Sequence, residues 1–225
     1  MPGGALKERV DRKPHPGGVA GAMLSLDEVA RRAWASRLDP RVRAWSTQVL
    51  AKAGWPSTRI ARVQALADAY HAKVKYLEDP PKVEFMASPV QLLCLDDHGL
   101  CIVGADCDEA TITGAACCLS VAIEPVRIVG ASYKPPLEQP THVYFEFLSE
   151  RRQWIPADFS TTQPIGVVAR PAQTWYVDPD KGVGAAGLPG GDFVGVSGLP
   201  GGPIEGYFGP FEEIRGWYRV RRPRR

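Results

Sequence analysis

Hydrophobic positions recur at helical spacing from the first ordered-looking stretch, "SLDEVARRAWASR", where Leu26, Val29, Ala33 and Trp34 share a face. Ser25 is placed to cap this helix, with Glu28 three positions later, so the expected span is 25–37. "DPRVRAWSTQVLAKAG" predicts a second helix over 39–54, with Asp39 as cap, Pro40 in the first turn and Gly54 at the end. A third runs over 56–77, with Ile60, Val63, Leu66, Ala67, Tyr70 and Val74 along one face. "EDPPKVEFMASP" breaks that pattern. "VQLLCLDDHGLCIV", 90–103, fits either a hairpin around "DDHG" or a helix followed by a turn. A further helix is expected from Asp106, its cap, with Asp108 and Glu109 in the first turn. Its stretch Thr111-Ile112-Thr113-Gly114 is a poor run for helix propensity.

Downstream the period changes from helical to alternating. "PVRIVGASY" (125–133), "HVYFEFLS" (142–149) and "QWIPADFS" (153–160) read as strands, with "ERR" as a short turn between the last two. Helices first and strands after predict an α+β fold. The last third is different. "GLPGG" occurs at 187–191 and again at 198–202, too few copies for a solenoid. The expected organisation is a disordered tail over 1–22, a helical part plus core over 23–180, a Gly/Pro-rich loop or linker over 181–206, and an aromatic segment with a basic tail over 207–225.

Composition narrows the classes. The hydrophobic fraction, 44% of 225 residues, is enough for a sizeable core. No run approaches the ~18 apolar residues of a membrane span, and "MPGGALKERVDRKPHPGG" has no apolar heart of a signal peptide. A soluble, cytoplasmic protein without membrane partners is expected. Net charge is +2, with five arginines in the ending "RVRRPRR"; the remaining body is mildly acidic. Nucleic acid is therefore an expected partner only through that tail. Five cysteines, an odd number with three crowded between 107 and 118, predict reduced thiols over a disulfide framework. A Cys94–Cys101 bridge has nothing in the sequence to recommend it. Cys94, His98, Cys101 and Cys107 at C-x3-H-x2-C-x5-C fit no common zinc spacing, so no metal and no cofactor are expected. His71, on a helix, is expected to be solvated.

One constellation can do chemistry. Cys107 stands at a helix start, which favours a thiolate. His142 opens a strand whose alternation groups it with Tyr144 and Glu146, away from Val143, Phe145 and Phe147. Asp158 ends the next strand, an antiparallel neighbour through a short turn, where a carboxylate orients an imidazole. Nucleophile, base and orienting acid thus come from helix, strand and strand. The Cys107 N–H is the natural oxyanion donor, Gln91 a candidate side-chain donor, and Trp154 and Tyr144 candidate cleft residues. Cys117 and Cys118 read as packing.

"GADCDEATITGAACC", then "HVYFEF", then "WIPADFS" resemble, in that order, the three signature blocks of the transglutaminase-like cysteine peptidase superfamily. The resemblance runs from about 70 to 165, and "VKYLEDPPKVEFMASPVQLL" looks most like its short phage and prophage members. It differs in carrying Ala105 between Gly104 and Asp106. The resemblance implies a papain-like core, with helices packed on an antiparallel sheet. It implies Cys107 as nucleophile, His142 as general base and acid, and Asp158 as orienting acid. The implied function is thiol-dependent acyl transfer on a protein or peptide, as a peptidase, amidase or transglutaminase. The alternative expectation is a non-enzymatic assembly module of a phage particle, with phage structural proteins as partners.

Overall fold

The computed structural model describes residues 18–79, 85–95, 101–102, 104–135, 137–178 and 220–221. The expected N-terminal tail up to residue 17, His98, the Gly/Pro-rich segment and the aromatic stretch 207–219 lie outside the described residues. The architecture is α+β: helices packed against a four-stranded antiparallel sheet.

Three helices come first. α1 spans Gly18–Ser36, seven residues earlier than the expected start, so Ser25 lies inside it and is no cap. Glu28, expected to complete a capping box, instead pairs with Arg31 and Arg32 at 2.6 and 2.7 Å. α2, Pro40–Lys52, starts as read, with Asp39 accepting from the Arg41 N–H and Pro40 in the first turn. α3, Arg59–His71, is shorter than expected because Thr58 caps it and Ala72 ends it. Val63, Leu66, Ala67 and Tyr70 are buried on its inner face, but Ile60 is exposed. The residues expected to extend α3 instead form β1, Lys75–Tyr76, which pairs in parallel with β3, Gly104–Ala105. Within the ambiguous stretch the described residues form a four-residue helix α4, Pro89–Leu92, and β2, Cys101–Ile102, while "DDHG" lies outside them. β2 pairs antiparallel with β8, Val220–Arg221.

Central to the packing is α5, Cys107–Ser120, in which every residue from Glu109 to Ser120 is buried. A helix that is apolar and small on all sides is one that neighbours surround. Here α1, α2, α3 and α4 pack on it, and so do β4, Val126–Ser132, and β5, His142–Leu148. β6, Trp154–Ala157, and β7, Gln173–Val177, complete the sheet in the order β6-β5-β4-β7. β7 had no clear sequence signal.

The low-propensity run in α5 has a packing reason. A Cβ at Gly114 would fall 2.5 Å from Phe145 Cε1 and 2.9 Å from Phe159 Cδ2. Only glycine allows the helix so near the sheet, and the contact compensates for the ~1 kcal/mol that glycine costs in a helix.

Cys94 and Cys101 are joined in a disulfide, with Cα atoms 4.8 Å apart, which corrects the expectation of five reduced thiols. It links the end of α4 to β2. Both sulfurs are consumed in it, so the C-x3-H-x2-C-x5-C set has lost two of its ligands.

Two stability predictions follow from this packing. Gly114→Ala, favourable by helix propensity alone, is expected to destabilise the protein by about 1–3 kcal/mol in denaturant unfolding, from overpacking; a stabilised variant would contradict the tight helix–sheet contact. Asp27 of α1 has a buried Oδ1 with no hydrogen-bond partner among the described residues, and burial pushes its carboxyl up to about 6. The folded state therefore holds this proton more tightly than the unfolded chain, and stability falls as pH rises from about 4 through about 6. Asp27→Asn should flatten that decline and stabilise the fold at neutral pH by about 1–3 kcal/mol. Unfolding curves across pH that superimpose for the two proteins would contradict it.

Candidate active site

The helix start at Cys107 is built by its own first turn. Asp106 caps α5, accepting from the Asp108 N–H at 2.9 Å. Glu109 reaches back to the Asp106 N–H at 3.0 Å and also accepts from the Ala87 N–H at 3.2 Å. Glu109 is fully buried, and burial together with the charges of Asp106 and Asp79 raises its carboxyl well above the usual range. It thus ties α4's approach to the start of α5.

The strands deliver the other two groups. His142 opens β5, and Asp158 follows β6 directly. His142 Nε2 lies 2.8 Å from Asp158 Oδ2. Asp158 Oδ1 accepts from the Ser160 N–H at 3.0 Å and the Ser160 hydroxyl at 2.6 Å. Burial works against its charge, yet the hydrogen bond and charge of His142 and the Ser160 donors hold Asp158 below its ordinary range. His71, expected to be solvated, is half-buried, and its Nε2 donates to the Phe159 carbonyl at 2.9 Å, fixing the turn beside Asp158.

Cys107 and His142 wall the same cavity of about 350 Å³. Its walls also include Leu26 and Val29 of α1, Asp106 and Asp108 beside the cysteine, and Gln139–Thr141. With Nε2 engaged by Asp158, Nδ1 is the ring nitrogen left for proton transfer. In this conformation the Cys107 sulfur makes no hydrogen bond to His142 among the described residues. It donates to Asp108 Oδ1 at 3.6 Å, and the Val143 N–H points at it.

The electrostatics oppose a resting thiolate. Burial first, then the charges of Asp108 and Asp106, push the Cys107 thiol well above its usual value, with the Val143 N–H acting the other way. The helix start alone does not overcome them, contrary to the expectation of a lowered thiol. Cys117 and Cys118 are buried and inert by the same criterion; burial raises both.

The three other expected site residues are not brought to the cavity. Gln91 sits in α4, where its Oε1 accepts from the Ser88 N–H and hydroxyl at 2.9 and 3.1 Å, so its carbonyl serves the helix cap. Trp154 stacks under the Arg127 guanidinium at 4.2 Å, and Arg127 also lies over Tyr176 and pairs with Glu146 at 2.6 Å. Tyr144 is buried with Val129 and Ala131 on the sheet face opposite α5. The Cys107 N–H stands at the first helical position, where the helix itself supplies no acceptor.

Sequence reasoning missed one contributor. The α1 wall could not be assigned because helix placement in space leaves no local signal. Asp106, Cys107 and Asp108 also offer ligand atoms within 4.8 Å of one another. Their oxygens are already used in the helix cap and by the thiol, so the group reads as a helix start.

No protein-family model and no curated protein matches the chain. Among solved structures, it is similar to a proposed cysteine protease from Cytophaga hutchinsonii, at 15% identity and a TM-score of 0.40, covering 75% of this chain. The chain spans about half, 55%, of that structure's length.

Asp108 generates a prediction of its own. Asp108→Asn removes a negative charge beside the sulfur, so a larger thiolate fraction exists at any given pH. Alkylation of Cys107 by iodoacetamide at mildly alkaline pH should speed up by about 3–10-fold, a shift of roughly half to one pKa unit. An unchanged or slower rate would show that the carboxylate does not control the thiol.

Proposed function

We propose that the protein is a thiol-dependent acyl-transfer enzyme acting on amide or peptide carbonyls. The observation that carries this reading is the 2.8 Å His142–Asp158 bond, with His142 and Cys107 facing one cavity. Asp158 holds the imidazole in one tautomer and supports its cation. The sulfur turns from Asp108 towards Nδ1, and His142 takes the thiol proton as the sulfur adds to the carbonyl carbon. The Cys107 N–H donates to the oxygen that becomes negative. Collapse of the adduct forms a thioester, and the leaving amine takes the proton back from the imidazolium. Water, deprotonated by His142, then releases the acid. An amine in place of water would complete transamidation; hydrolysis is the reading favoured here, on a protein or peptide substrate.

Because the thiol is raised, His142 acts as a general base during attack and not as one half of a standing ion pair. The rival reading, a non-catalytic assembly module of a phage particle with the same fold, draws on that same feature: a half-buried, neutral cysteine is ordinary in a scaffold.

The two part on one experiment. Incubation with p-nitrophenyl acetate followed by peptide mass spectrometry should find one acetyl group, on Cys107, and none at that site in Cys107→Ala. Lysine acetylation at bulk rates, with Cys107 untouched, would favour the scaffold.

A further inference from the structure

The β5–β6 ladder ends before β5 does. Phe147 pairs with Ile155 and Phe145 with Ala157, and there β6 stops. Val143 is two residues beyond Phe145 on the same strand edge, so its N–H and C=O point into the place where β6 would continue. Buried peptide groups left by a sheet partner need others. Both are met by α5. The Thr111 hydroxyl donates to the Val143 carbonyl at 3.1 Å, and the Val143 N–H points at the Cys107 sulfur. Thr111 is buried, one turn after Cys107 on the same helix face. Val143 is also the residue next to His142.

We infer that Thr111 is a positioning residue, whose hydroxyl clamps α5 to the Val143 peptide and thereby sets the Cys107 sulfur beside His142. This rests on the acyl-transfer reading above. The clamp accounts for a threonine at a buried helical position, where a better helix former would pack but could not hold Val143. Without the hydroxyl, the first turn of α5 is free to shift along β5, and the sulfur loses its alignment with the imidazole. Proton transfer to His142 would suffer; attack by a thiolate already formed by hydroxide would not.

The test is the pH dependence of Cys107 acetylation by p-nitrophenyl acetate in the parent, Thr111→Val and Thr111→Ser. In the valine variant the neutral-pH rate should fall by about tenfold or more, while the rate well above the thiol pKa should stay within about threefold. The serine variant should restore the neutral rate. Parent-like profiles in both variants, or an equal loss at both ends, would overturn the assignment. If Thr111→Val does not fold, Thr111→Ala against Thr111→Ser makes the same comparison, because those two differ by the hydroxyl alone. A parent lacking the neutral-pH limb would instead contradict the acyl-transfer reading and take Thr111 with it. A limb that survives loss of the hydroxyl sinks only the role of Thr111.

Discussion

The site depends on one peptide unit. Where β6 ends at Ala157, the Val143 N–H and C=O lose their sheet partners, and the first turn of α5 fills the gap. That contact brings a helix start against a strand edge next to His142. The cap at Asp106, the Glu109 link to Ala87 and the glycine at 114 all serve the same seating of α5. Asp158, in turn, is placed by the strand that stops short. The early end of β6 therefore gives the helix its docking point and the imidazole its carboxylate.

Charge around this contact is balanced against the nucleophile. Asp106 and Asp108 are what the helix start wants, since carboxylates cap free N–H groups and complement the helix dipole. The same carboxylates disfavour a thiolate between them. On the proposed acyl-transfer reading, such a site keeps its cysteine as a neutral thiol and relies on a nearby base. The half-buried His142, fixed by Asp158 on one nitrogen, is positioned for that task.

Much of this was legible in the sequence. The Asp39 and Asp106 caps, the α5 helix and the three strands β4, β5 and β6 follow from residues that act locally. So does the pairing of His142 with Asp158, because a short turn forces adjacent strands. What was not legible was the choice among competing partners. α1 runs on from Gly18 through Ser25, and Glu28 pairs along the helix with Arg31 and Arg32. Gln91 was read as a side-chain donor, and the structure shows its Oε1 accepting from Ser88 in the α4 cap. Cys94 and Cys101 are seven residues apart, a spacing that does not by itself specify a bridge. The Thr111–Gly114 run read as a weak helix; its threonine and glycine are explained only by the strand it touches.

The central claim is that Cys107 and His142 work as a pair, with the imidazole as base. The most direct measurement is the rate of Cys107 acetylation against pH in the parent and in His142→Ala. The expected result is a parent rate with a limb at neutral pH, below the ordinary thiol range, that is absent in the variant. A single rise at or above the ordinary thiol pKa of about 8.5, the same in both proteins, would contradict it.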